Sequence, residues 1–261
     1  MGLLQEILEY KRLEVARRKR EKPMRALELM IDTQPVTLDF CDALRSRCPL
    51  AIIGEVKKAS PSAGVLRPDF RPADIARQLE SGGVACISVL TDQQYFGGSM
   101  SYLQIVKDAV AVPVLRKDFI VDEYQLFEAR AYGADAVLLI VAALPQEQLK
   151  RLLREARELG MKALVEVRDE TELARALETK ARIIGINNRN LDTLEVRLEV
   201  AEALAPLVPL DRVVVAESGI RTRQDVKRMV NAGVSALLIG ETIMRSEDIA
   251  TAVKVLAGEY I

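Results

Sequence analysis

The chain has 261 residues, with 37 Lys and Arg against 38 Asp and Glu for a formal charge of −1, three cysteines, no tryptophan and no histidine. Without imidazole, a Ser-His-Asp or Cys-His triad, a His-ligated zinc centre and a phosphohistidine relay are all excluded. Any proton transfer falls to Lys, Glu, Asp, Tyr or Cys with shifted pKa values. The near-zero charge argues against nucleic-acid or membrane-surface binding, which rests on clustered positive charge.

The first residues, Met-Gly-Leu-Leu-Gln-Glu, carry an acid where a signal peptide needs a basic and then an apolar run, and no apolar stretch of about 18 residues follows. A soluble, cytoplasmic protein is expected. Cys41, Cys48 and Cys86 are odd in number and lack metal-type spacing, which predicts reduced, incidental thiols and no metal site. Residues 1–48 are expected to form an N-terminal helical extension, with helices over 3–20, 25–30 and 38–45. Arg17, Arg18, Lys19, Arg20 and Lys22 follow Glu6, Glu9 and Glu14 on the first of these and read as a solvated face. The extension covers either the base or side of the following domain or its active-site mouth, and the sequence leaves both open.

From residue 50 onward, short β-rich apolar runs alternate with segments of helical period. The strands are predicted at 50–56, 84–90, 112–115, 136–141, 163–167, 183–186, 213–216 and 236–239. Amphipathic helices are predicted at 72–79, 123–132, 146–159 and 223–232, with glycines at 82–83, 133, 160 and 233 where a left-handed C-cap is wanted. Strands apolar on both faces and alternating with helices imply parallel β/α units. Eight units favour an α/β fold of the (β/α)8 TIM barrel type over residues 49–261. An open doubly wound sheet is the alternative, but its Gly-rich first turn is replaced here by Lys-Lys-Ala-Ser-Pro-Ser.

Barrel active sites stand at the C-terminal strand ends. The first strand closes with Glu55-Val-Lys57, whose period of two puts both charges on one side. The third closes with Lys117, the fifth with Glu166, the sixth with Asn187-Asn-Arg189 and the seventh with Glu217-Ser218-Gly219. Each alone reads as a surface or salt-bridge residue. Together they converge on one mouth and supply a His-free acid/base set, in which burial and like charges lower a lysine pKa and raise a glutamate pKa toward neutrality. Ser218-Gly219 after strand seven and Gly240-Glu241 after strand eight open helices in adjacent units, a pattern that suits a phosphate.

The motifs Glu55-Val-Lys57-Lys-Ala-Ser60-Pro61-Ser62, Leu115-Arg-Lys117-Asp118-Phe119, Val165-Glu166-Val167, Ile186-Asn187-Asn188-Arg189-Asn190-Leu191, Glu217-Ser218-Gly219-Ile220 and Gly240-Glu241-Thr242-Ile243-Met244-Arg245 occur in order. They resemble those of the indole-3-glycerol-phosphate synthase family along nearly the whole chain. The resemblance implies a lyase of tryptophan biosynthesis that turns 1-(2-carboxyphenylamino)-1-deoxyribulose 5-phosphate into indole-3-glycerol phosphate, carbon dioxide and water. It implies Lys117, Lys57, Glu166, Glu55, Asn187 and Glu217 as the catalytic set, and Ser60, Arg189, Ser218, Gly219, Gly240 and Glu241 as substrate or phosphate contacts. Pro61, Phe96, Phe119 and Leu191 would form an apolar wall for the aromatic ring. No metal or organic cofactor is implied, because the ring iminium serves as its own electron sink. The partner would be a small phosphorylated molecule, with no nucleic acid or membrane, and the chain a monomer or weak homo-oligomer. Where the family often has a histidine after the fifth-strand glutamate, this sequence has Arg168. Competing readings are another phosphosugar-binding barrel, such as an isomerase, and a re-engineered or non-catalytic barrel.

Overall fold

The computed structural model describes residues 2–47 and 49–258. Eight strands close into one barrel in sequence order: β1 Ala51–Val56, β2 Cys86–Leu90, β3 Val114–Lys117, β4 Ala136–Ile140, β5 Lys162–Val167, β6 Ile183–Asn187, β7 Val213–Glu217 and β8 Ala236–Ile239. Every pairing is parallel, and β1 seals the ring by placing Ala51 opposite Ala236 of β8. Closure excludes the open doubly wound sheet.

The expected strands are all present, but several run further toward the mouth than their apolar residues. The third begins at Val114 because Pro113 has no N–H to give the ladder, and it continues through Arg116 and Lys117. The sixth and seventh likewise take in Asn187 and Glu217. Pairing depends on the backbone, so a strand ends where its hydrogen bonds end and not where its hydropathy falls. Of the glycines expected at helix ends, Gly83, Gly133, Gly160 and Gly233 have positive φ, whereas Gly82 stays right-handed.

The extension divides between the two places left open for it. Helix α1, Leu3–Glu21, lies across the C-terminal mouth; α2, Met24–Ile31, runs down the outside; α3, Phe40–Arg45, sits under the base. On the side, Leu27 is fully buried against Tyr124 and Ala131 of the helix Tyr124–Ala131, here α4. At the base, the Phe40 carbonyl accepts the Cys86 thiol at 3.9 Å, and Asp39 pairs with Lys162 at 2.9 Å. The basic stretch of α1 is only partly a solvated face. Arg18 reaches Glu128, Lys19 reaches Asp122 and Lys22 donates to the Tyr132 hydroxyl, so three of the five cations fasten α1 to the barrel, while Arg17 and Arg20 face outward. Cys41 and Cys86 are buried free thiols; Cys48 lies outside the described residues.

One buried carboxylate ties extension and barrel together at the base. Asp135 accepts from Lys107 Nζ at 2.6 Å, from the β3 backbone at Val114 N (2.7 Å) and from Leu38 N of the extension (2.8 Å). Removing it strands an ammonium and two N–H groups where water has little access. Asp135→Ala is therefore expected to lower stability by about 3 kcal/mol, read as a fall in urea midpoint at constant m value. An unchanged midpoint would show that these donors find other partners.

Candidate active site

Period-two alternation within the barrel strands turns Glu55, Lys117, Glu166, Asn187 and Glu217 toward the axis at the C-terminal end. They surround a cavity of about 620 Å³, together with Lys57 just beyond β1. All sixteen residues expected at the site line it: these six, Ser60, Arg189, Ser218, Gly219, Gly240 and Glu241, and the wall residues Pro61, Phe96, Phe119 and Leu191. Arg168, at the family's histidine position, does not line it; it lies just past β5, and its backbone N–H donates to Glu172.

The charges form two linked groups. Lys57 Nζ lies 2.5 Å from Glu55 Oε1. Lys117 Nζ lies 3.6 Å from Glu166 and 3.4 Å from Glu217. Neither Glu217 oxygen, nor Glu166 Oε2, has a hydrogen-bond partner among the described residues. Room for the Glu217 carboxylate comes from Gly185 on the neighbouring strand, whose absent Cβ would fall on Oε1. Any larger residue at 185 would push that carboxylate away from Lys117.

This crowding decides which groups are shifted. Burial acts to lower the Lys117 pKa, but Glu217, Glu166 and Glu55 outweigh it and raise it. The expectation of a lowered lysine pKa is thus corrected for Lys117: three carboxylates around one buried ammonium favour its charged form more than desolvation opposes it. The expectation of a raised carboxylate holds at Glu217. Burial pushes it up to about 8; Lys117 opposes the shift, and Glu166 and Glu55 add to it. Glu55 is also buried, which acts to raise its pKa, but Lys57 and then Lys117 bring it below its ordinary value. Near neutrality the mouth therefore holds a protonated lysine beside a protonated carboxyl, with a carboxylate held by Lys57 next to them.

The two ends of the cavity differ in character. At one end the Phe96 and Phe119 rings stand 6.2 Å apart, and Leu3 and Ile7 of α1 complete an apolar slot beside Leu191 and Pro61. At the other, Ser218 and Gly219 both have positive φ, 68° and 86°, so the chain turns sharply after β7. Such a conformation is costly for serine. It is held by Ser218 Oγ donating to Asn187 Oδ1 at 2.9 Å and by Asn188 Nδ2 donating to the Ser218 carbonyl at 3.1 Å. The Thr242 hydroxyl donates to the Ile220 carbonyl at 2.6 Å and fixes the turn after β8 to the turn after β7. Glu241 directs its carboxylate at Arg189 (3.7 Å) and Arg245 (3.3 Å), which leaves its backbone N–H as the group it offers an anion. Arg189 also donates to Ser62 at 3.2 Å, bringing the segment after β1 against the segment after β6.

Leu3, Ile7, Arg221 and Arg245 also line the cavity, although sequence reasoning gave them no role. The spacing of Leu3 and Ile7 on one face of α1 marks an apolar stripe, but such a stripe does not say what it covers. Arg221 and Arg245 stand just past the two phosphate-type turns, and a search for cations flanking those turns would have found them.

The profile for Indole-3-glycerol phosphate synthase matches residues 4–256. An indole-3-glycerol phosphate synthase from a Polaromonas species is 50% identical over 259 residues, 98% of each chain. One from Neisseria meningitidis is 50% identical over 250 residues, 95% of this chain and 96% of its own. Among solved structures, a thiamine phosphate pyrophosphorylase from Pyrococcus furiosus superposes with a TM-score of 0.61 over 83% of this chain and 97% of its own. At 18% identity it shares the barrel fold alone. With its family profile spanning all eight strand ends and half of its residues shared with these relatives over nearly their whole length, the chain belongs to the indole-3-glycerol phosphate synthase family.

Proposed function

We propose that the residues of this mouth carry out the family's ring closure, converting 1-(2-carboxyphenylamino)-1-deoxyribulose 5-phosphate to indole-3-glycerol phosphate, carbon dioxide and water. The observation that carries the assignment of roles is the Lys117 ammonium set between two glutamates, with an apolar slot on one side and two glycine turns flanked by arginines on the other. The slot fits the aromatic ring, and the turns fit the phosphate.

In this reading the ring carbon bearing the carboxylate attacks the ribulose carbonyl carbon, and the carbonyl oxygen takes a proton from Lys117. A lysine whose charged form is stabilised is present as the acid at every physiological pH. Electrons from the ring nitrogen leave an iminium. The carboxylate then departs as carbon dioxide, and its bonding electrons restore the aromatic ring. Loss of the hydroxyl as water needs an acid at the oxygen and a base at the adjacent carbon. Lys57 and Glu166 take these parts, while Glu55 holds Lys57 in place. Asn187 and Glu217 orient the substrate's hydroxyls. Arg189 meets the anthranilate carboxylate, and Ser60, Ser218, Gly219, Gly240 and the Glu241 N–H complete the contacts. The N-terminal 48 residues belong to the working enzyme through Leu3 and Ile7. The chain acts in the cytoplasm on a small molecule rather than nucleic acid, as a monomer or weak homo-oligomer. Its near-zero net charge argues against a nucleic-acid partner, and none of the described helices is long and apolar enough to cross a membrane.

Because the chain has no tryptophan, indole product excited at long ultraviolet wavelength should brighten over a nearly dark protein. No rise at saturating substrate with folded protein would exclude the synthase activity. Lys117→Ala should cut kcat by about 10³-fold while substrate still binds; near-normal turnover would remove Lys117 from the chemistry.

Glu217 sets a pH dependence of both rate and stability. Its folded-state pKa, about 8, lies above its ordinary 4.5, so the folded chain retains a proton that the unfolded chain gives up. That stabilisation is complete below about 4.5 and is lost as pH rises through about 8. Above that pH the added negative charge also repels an anionic substrate. Wild-type kcat/KM should therefore fall on the alkaline side of pH 8. Glu217→Gln should be slower yet flat between pH 7 and 9, with Tm higher than wild type by roughly 5 °C at pH 9 and little changed at pH 5. A Tm difference independent of pH would show that Glu217 is not the titrating group.

A further inference from the structure

Behind Lys117 lies a ring of charges to which the reaction above assigns no role, and of its members only Asp118 lines the cavity. Lys11, at the middle of α1, is fully buried, and its Nζ lies 2.7 Å from Glu14, 2.8 Å from Asp92 and 2.9 Å from Asp118. Asp118 passes the contact to Arg116 at 3.0 Å, Arg116 to Glu128 at 3.3 Å, Glu128 to Arg18 at 3.4 Å and Arg18 back to Glu14 at 2.6 Å. The circuit alternates in sign and closes on itself. Arg116 is fully buried, with further donors on the Gln125 carbonyl and the Thr91 hydroxyl.

The places where the ring meets the site give it meaning. Arg116 and Asp118 are the two covalent neighbours of Lys117. Alternation along β3 sends Lys117 into the barrel and Arg116 out to α4, so the ring grips the backbone on both sides of the lysine. Asp118 Oδ1 also accepts the N–H of Phe119 at 2.8 Å. Asp92 caps the short helix Gln93–Phe96 by accepting from Tyr95 N at 2.8 Å, and that helix carries Phe96. One ammonium from the extension thus joins the segment holding the catalytic lysine to both phenylalanines of the slot. Buried ion pairs contribute little net stability over apolar residues of the same shape, because desolvation offsets their attraction. Three cations and four carboxylates in one buried cluster are therefore poorly accounted for by stability alone.

We infer that Lys11 is a positioning residue of the synthase site: through Asp118 and Asp92 it fixes where Lys117 and the Phe96–Phe119 slot stand relative to the bound substrate. This rests on the reaction proposed above. Displacing a reacting group by about 1 Å costs on the order of 10²-fold in rate. Among the described residues no hydrogen bond or ion pair joins the phosphate turns after β7 and β8 to the ring, so their affinity for an anion should not follow it.

The test uses the full chain. Lys11→Met, assayed well below its melting temperature, should lower kcat at least about tenfold while inorganic phosphate inhibits competitively with a Ki within about twofold of wild type. Asp118→Asn should show a similar loss, and the Lys11→Met/Asp118→Asn double variant should lose little more than either alone, because both act through one contact. The double variant removes one cation and one anion, so it also serves if Lys11→Met alone does not fold. The inference is overturned if folded Lys11→Met or the double variant keeps kcat within about twofold of wild type, if phosphate affinity falls in step with kcat, or if the two losses multiply independently. Wild-type turnover measured alongside separates this outcome from failure of the synthase reading, in which the unaltered chain would also be inactive.

Discussion

Pairing of β1 with β8 is the constraint on which the rest depends. Once the sheet is closed, every second side chain of every strand must share one interior, and the residues at the strand ends have nowhere to point but the mouth. Five strands whose individual ends look unremarkable thereby deliver two lysines, three glutamates and an asparagine to a single cavity. Gly185 belongs to the same packing: one strand gives up its side chain so that its neighbour's carboxylate can occupy the space.

Closure also places these charges in a medium too poor in water to screen them, and the signs that result are collective. Burial pulls the Lys117 pKa down and its carboxylate neighbours more than offset it; Glu217 would ionise in water and is kept protonated by burial and by the glutamates around it. Neither state is a property of the residue by itself. A chain without histidine reaches a neutral-pH proton inventory through crowding, using residue types whose unperturbed pKa values lie far on either side of 7.

The barrel was legible in the sequence because parallel strands buried on both faces have to be apolar, and that leaves eight separated runs that are easy to read. Strand ends were less legible: Arg116 and Lys117 break the apolar pattern while continuing the backbone ladder, which hydropathy does not report. Fifteen of the sixteen expected residues sit in motifs at strand ends; Phe96, on the short helix after β2, follows from the family resemblance alone. By contrast, Leu3 and Ile7 give only a helical stripe, and contact between α1 and the mouth joins residues far apart in sequence. The buried ring was hidden for a related reason. Lys11, Glu14 and Arg18 look like ordinary solvated helix charges, and their partners at 92, 118 and 128 are brought to them by the fold.

The seat of α1 has a consequence for the order in which the molecule is made. Leu4 N is capped by Asp192, 188 residues later, and Lys11 needs Asp92 and Asp118. Helix α1 is thus held by groups synthesised long after it, and its docking carries the loop-closure entropy of the long stretch between them. A nascent chain can form several β/α units while α1 still waits for its last contact. The slot that α1 roofs also takes in Leu191, so a partly synthesised barrel holds Lys57 and Lys117 without a finished mouth.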